Sequence, residues 1–218
     1  MFFRKVIYMG ECGEGAVYFD TERNLALVAP QSKLLNTAGT EKTNLLIPGL
    51  ITLGFGGTGL TVANPFGGYY SEATFVFLII AWIVECVGLI WLLERALYKN
   101  VKHAQPTTRQ NFRSAVYGNL FWNNFGDKRV TFGKKLVMFI VVCSILAANL
   151  AFVPALLYHV IPNILNQVSI DSDIIILSIW GIMPAILVLL VWQNNPIRWL
   201  NVVEKYQKRQ IKWGKSVK

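Results

Sequence analysis

Charge is what this sequence has least of. Aspartate, glutamate, lysine and arginine make up 15% of its 218 residues, against about 25% in soluble domains. Hydrophobic residues reach 54%. So few charges cannot clothe a water-facing surface, unless much of the surface faces lipid. Cysteine is scarce too. Cys12, Cys86 and Cys143 lack ligand-type spacing and two of them fall inside long apolar runs, which argues against a disulfide framework or a zinc site. Met1–Asp20 has no continuous apolar core of about 7–15 residues, so no cleavable signal peptide is expected. Neither H-E-x-x-H nor G-x-S-x-G occurs. No enzymatic activity and no cofactor or metal are therefore expected.

What is present is long apolar stretches. Four approach the roughly 20 residues that a helix needs to cross a bilayer: Leu45–Asn64, Ala73–Leu93, Leu136–Tyr158 and Ile174–Trp192. The remainder of the chain is too small to cover four buried helices. The expected fold is an all-α integral membrane protein with four transmembrane helices. It carries a small N-terminal β-hairpin or meander and a C-terminal amphipathic basic helix.

The basic residues orient these spans. Met1–Asn44, Arg95–Lys135 and the tail from Gln193 onward hold five, nine and seven of the 21 lysines and arginines, and the connections Pro65–Glu72 and His159–Asp173 hold none. Lysine and arginine collect in cytoplasmic loops. Both termini and the middle loop 94–135 are thus expected inside the cell membrane, with two short loops outside. Residues 1–44 form a β-rich segment, 45–193 the membrane domain and 194–218 a cytoplasmic tail. The N-terminal segment reads as short strands divided by the turn Gly10–Gly15 and by "DTERN". A sheet this small is marginal alone and should lean on the middle loop or the membrane face. In the tail, a helix places Leu200, Val203 and Tyr206 on one side. Arg198, Lys205, Lys208, Arg209 and Lys212 are read as lipid-facing, a pattern suited to an interface with anionic lipids. Nucleic acid is not expected as a partner, because no reading module accompanies the charge.

The stretch "GFGGTG", Gly54–Gly59, fits G-x-G-x-x-G letter for letter. A dinucleotide loop also needs a preceding strand and an acidic residue about 20 positions later. Here the glycines lie inside a candidate span, Glu72 comes too early and Glu85 sits in the next apolar run. Gly54, Gly57 and Gly59 are read instead as helix-packing positions, spaced i, i+4 from Thr58, Thr61 and Ala63. Ser144, Ala148, Ala151 and Ala155 form a matching small-residue stripe. Pro154 and Pro184 are expected to kink their helices.

Glu85 is the most informative single residue. A carboxylate at the bilayer centre costs several kcal/mol unless it turns inward or becomes neutral. Its helical neighbours Ala81 and Gly88 are small, and no lysine or arginine lies deep in any span. Asn149 and Thr52 or Thr58 are candidate hydrogen-bond partners. The readings stand side by side: a protonated acid acting as polar glue within the bundle, a proton or ion relay, or a recognition contact with another membrane helix. Glu94 and Arg95 read as interfacial anchors. His103 and His159 fall on opposite sides of the membrane and share no metal. Ser144 and His159, 15 residues apart on a helix, are separated by roughly 22 Å and make no catalytic pair.

"FRKVIY" and "GAVYFDTERN", followed by glycine-rich and then apolar spans, resemble the tandem five-transmembrane-domain proteins of Gram-positive bacteria. In that family an aromatic-Arg-aliphatic strand precedes a second strand that ends in an Asp-x-x-Arg-Asn-like turn. Asp20, Arg23 and Asn24 stand at those places, and four spans stand where the family has five. The resemblance implies an immunity protein that neutralises a membrane-damaging toxin of a type VII secretion system. The expected role is a multi-pass membrane interaction protein, its partner a membrane-active toxin or another membrane protein. The alternative is a small transporter or channel component that uses Glu85.

Overall fold

The computed structural model describes residues 4–32, 68–118, 129–170 and 173–214. The chain forms two compact units, each assembled from segments distant in sequence. One joins Met1–Leu35, Trp91–Ile145 and Val188–Lys218; the other joins Asn36–Ile90 and Leu146–Leu187.

The first unit is built on a four-stranded antiparallel sheet in the order β1-β2-β3-β4. The strands are β1 (Val6–Cys12), β2 (Gly15–Asp20), β3 (Leu25–Ala29) and β4 (Gln105–Pro106). Gly13 and Glu14 close the first hairpin between the paired Cys12 and Gly15. At the second turn Asp20 Oδ1 accepts the backbone N–H groups of Glu22 (2.9 Å) and Arg23 (3.0 Å), an Asx turn. Asn24 follows at φ +53°, the left-handed conformation that asparagine tolerates best among non-glycine residues. "DTERN" is thus a turn with a physical reason for two of its five letters, Asp20 and Asn24. A bulge interrupts the β1–β2 register between Tyr8 and Gly10. Gly10 sits at φ +143°, and a Cβ there would lie 2.4 Å from the carbonyl oxygen of Ala115; only glycine lets a helix rest on the strand at that point.

Side chains alternate across the sheet as a period of two requires. Ile7, Met9, Val17, Phe19 and Ala26 face a core shared with Phe112, Trp199 and Val203. Tyr8, Ala16, Tyr18 and Ala29 face the opposite way, against Leu97 and Tyr98. Two covered faces are what stabilise so small a sheet.

The helices are α1 (Glu72–Tyr98), α2 (Arg109–Gly118), α3 (Phe132–Leu165), α4 (Asp173–Ser178), α5 (Ile182–Val188) and α6 (Pro196–Gln207). Ser71 and Thr74 exchange side-chain-to-backbone hydrogen bonds at the start of α1, a reciprocal cap. Asn195 caps α6 by accepting the N–H groups of Ile197 and Arg198, with Pro196 in the first helical turn.

α1 and α3 are long and apolar enough to cross a membrane, and only 6% of the most apolar stretch of each is buried. A core helix of a soluble protein would be mostly covered. Ile80, Ile83, Val84 and Val87 of α1 and Phe139, Ile140 and Leu150 of α3 are exposed instead. The protein is membrane-associated through such surfaces.

The expectation of an all-α protein with four transmembrane helices is overturned. A four-stranded sheet is present, and two helices, not four, qualify as spans among the described residues. The segment Leu45–Asn64, with Gly54, Gly57, Thr58 and Gly59, lies outside the described residues. The segment Ile174–Trp192 is broken into α4, a 3₁₀ turn at Ile179–Gly181, α5 and a π turn at Leu189–Gln193. Pro184 explains the first break. It has no N–H for the carbonyl of Trp180 four residues earlier, and the chain tightens there, Ile182 N–H reaching Ile179 O. Pro154, by contrast, lies within the continuous α3.

The C-terminal helix also differs from expectation. Leu200, Val203 and Tyr206 do share one side, but that side is buried in the protein core, not laid on lipid. Tyr206 packs on Phe112 and Trp213 with ring centroids 5.3 and 6.1 Å away. An amphipathic period marks a face to be covered and does not say by what.

In the second unit the two short connections meet. Tyr69 bridges Ser169, Tyr70 N–H donates to Val168 O and Ile170 N–H to Gly68 O, both at 2.9 Å. Below them Leu78, Val160, Ile174 and Leu177 form a small core from α1, α3 and α4.

Candidate functional site

Glu85 is the central residue of the 27 in α1, about 20 Å of helix from either end. Its Oε2 is buried and meets no side-chain donor among the described residues, and the backbone N–H of Gly181 is directed at the carboxylate. It faces the 3₁₀ turn. Gly181 is fully enclosed there: a Cβ would lie 2.5 Å from Trp82 Cα, 2.6 Å from Trp82 O and 2.7 Å from Glu85 Oε2. The absence of a side chain lets the broken segment touch the α1 backbone at the carboxylate. Trp82 Nε1 donates to Leu177 O at 2.7 Å, and Phe152 stacks on Trp180 with ring centroids 3.5 Å apart and planes 3° from parallel. Glu85 therefore sits on a face packed by aromatic rings and a glycine. The arrangement sets one carboxylate oxygen, without a side-chain partner among the described residues, beside a place where the helix ladder is already interrupted.

A second polar cluster lies within the first unit. Arg4 pairs with Glu94, and its guanidinium stands 3.8 Å from the centroid of the Tyr98 ring. Gln193 Nε2 donates to Glu94 Oε2 at 3.4 Å, and Arg198 Nη2 donates to Arg4 O at 2.8 Å. Tyr98 donates its hydroxyl proton to Gln193 O, the last residue of the π turn, and Tyr18 donates to Leu97 O at 2.6 Å. Burial, followed by the negative charge of Glu11, pushes the Tyr8 phenol well above its ordinary value; burial does the same to Tyr18. Burial also lowers the Arg198 guanidinium. No nucleophile is set beside a base here. The cluster ties the entry of β1, the end of α1 and the start of α6 together by charge-assisted bonds.

The residues singled out from sequence fall as follows. Glu94 is an ion-pair partner of Arg4. Arg95 is exposed, its guanidinium 5.1 Å from the centroid of the exposed Trp91 ring, as an interfacial anchor would be. Asn149 is half-buried on α3, whereas Ser144, Ala148 and Ala151 are exposed. Lys205, Lys208, Arg209 and Lys212 are exposed, and Arg198 is half-buried. Lys208 and Lys135 both pair with Glu204 and hold its carboxyl down to about 2. His159 lies 3.3 Å from the Asn163 amide nitrogen. Sequence reading missed Tyr98 and Gln193. The signal for Gln193 was present, since it is the first polar residue after an apolar run; nothing local marked Tyr98.

Neither a protein-family model nor a curated protein nor a solved structure matches this chain.

Proposed function

We propose that this chain is a non-enzymatic, multi-pass membrane interaction protein of the immunity type, protecting its cell against a membrane-active secreted toxin. The observation that carries the reading is the bare apolar surface of α1 and α3, of which only 6% is buried in the most apolar stretch. Lipid covers such a surface, and so does another membrane-inserted chain. Both termini and the middle basic segment lie on the cytoplasmic side. This is supported by their folding as one unit that gathers the lysine- and arginine-rich segments. Lys205, Lys208, Arg209 and Lys212 meet anionic headgroups there. The resemblance of "FRKVIY" and "GAVYFDTERN" to the five-transmembrane-domain proteins supports the choice of a toxin as partner. Co-expression with a toxin encoded beside this chain is expected to restore growth and membrane potential. No protection against any neighbouring toxin would defeat the proposal.

A second reading, a small transporter or channel component, is favoured by Glu85 Oε2, buried with no side-chain partner among the described residues and set against a broken helix. Discontinuous helices of this kind line ion and substrate sites in transporters. Liposomes carrying the protein should then show a flux that Glu85→Gln abolishes.

A further inference from the structure

We propose that Glu85 is a proton-binding site whose occupancy is coupled to the 3₁₀ turn at Gly181. The inference rests on α1 crossing a membrane and names the ligand of the carboxylate in the transport reading.

Three observations carry it. The site offers one buried oxygen that no side chain satisfies, Glu85 Oε2, walled by Trp82 and faced by the backbone N–H of Gly181. A hard metal cation requires about six oxygen ligands, whereas a proton requires one. The apolar runs around the carboxylate hold no cation among the described residues. Ile174–Trp192 contains no ionisable side chain, Leu136–Leu157 contains only Cys143, and Ala73–Leu93 adds only Cys86. Finally, the oxygen sits 2.7 Å from where a Gly181 Cβ would stand, in the turn where the backbone ladder switches from α to 3₁₀. An uncharged carboxylic acid and a carboxylate make different demands on that wall. The acid donates one hydrogen bond and accepts others; the anion only accepts. The step is the addition of one proton to one carboxylate oxygen and its return to water, with no other bond made or broken.

The test uses the full chain reconstituted in phosphatidylcholine liposomes and dicyclohexylcarbodiimide, which reacts with protonated carboxyl groups in apolar surroundings. Mass spectrometry is expected to find one adduct on Glu85, absent from Glu85→Gln and absent with a water-soluble carbodiimide. Adduct yield should follow a single-proton curve, falling about tenfold per pH unit on its alkaline limb. In Gly181→Ala the midpoint should move by at least about one pH unit, because the added methyl displaces the wall. A pH-independent yield, or no adduct on Glu85 at any pH, would overturn the site. An unmoved midpoint in Gly181→Ala would overturn its coupling to the turn. Release of the protein by alkaline carbonate would defeat the membrane premise itself. Labelling without a dye-detected proton flux would leave the site standing and remove transport.

Discussion

Phe112 and Ile83 are both large apolar residues on helices, and the molecule treats them in opposite ways. Phe112 in the first unit is 0% exposed, enclosed by the sheet, Tyr206 and Trp213; Ile83 in the second is 58% exposed on α1. The contrast extends to their surroundings. Beside Phe112 the exposed positions of its helix are Arg109, Gln110, Arg113 and Ser114, while beside Ile83 they are Ile79, Ile80, Val84 and Val87. In water, burying a phenylalanine is worth about 1.5–3 kcal/mol; in lipid, an exposed isoleucine loses nothing comparable. Under the membrane role proposed above, one chain is written for two solvents, and the same residue types serve as core in one and as surface in the other.

The largest effect should separate these regimes directly. Phe112→Ala is expected to cost about 3–5 kcal/mol and to unfold the sheet unit, read by denaturant titration in detergent. Ile83→Ala should change the same titration by less than about 0.5 kcal/mol. If both fall equally, the two regions share one solvent and the comparison fails. Next comes Ile83→Lys, expected to cost about 2.5–3.5 kcal/mol of insertion, roughly two orders of magnitude in the membrane-inserted fraction. A normal yield of membrane-bound protein would show that this face is not lipid-exposed.

Smaller effects sharpen the electrostatics of the first unit. Because burial raises the Tyr8 and Tyr18 phenols, the stability they contribute is complete below about pH 10 and is lost as pH rises beyond it. Tyrosinate absorbance should therefore appear only together with unfolding. Tyr18→Phe should remove about 1 kcal/mol at neutral pH and soften the alkaline limb. The smallest effect belongs to Glu204. Lys135 and Lys208 hold its carboxyl near 2, so its contribution is present above about pH 4.3 and fades as pH falls towards 2. Glu204→Gln should flatten that acid limb, and added salt should mask the difference.

Legibility from sequence followed the solvent. Where a single period decides, reading was direct: "DTERN" is a turn between strands, the turn expected over Gly10–Gly15 narrows to Gly13–Glu14 because Gly10–Cys12 stay paired in β1, and two of the apolar runs fall within α1 and α3. Where tertiary partners decide, it failed. β4 is two residues long and one of them is Pro106, so neither alternation nor propensity marks it; only its pairing with Leu27 and Val28 makes it a strand. The face of α6 was visible and its cover was not, because lipid and a sheet accept the same leucines and tyrosines. Pro184 announced a disturbance, but the location of Gly181 against Trp82 depends on a helix 100 residues earlier. Glu85 stood out by chemistry alone, as the one acid in the apolar run of α1, while Tyr98 looked like any other tyrosine at the end of an apolar run.

Trp199 donates its indole N–H to the carbonyl of Met9, across a separation of 190 residues. β1 is an outer strand of the sheet, and an open outer strand invites pairing with other chains. While the nascent polypeptide leaves the ribosome, β1–β3 emerge well before Trp199 and wait for it unsealed. Any product that stalls before Trp199 would display that edge, and cellular proteases would find it first.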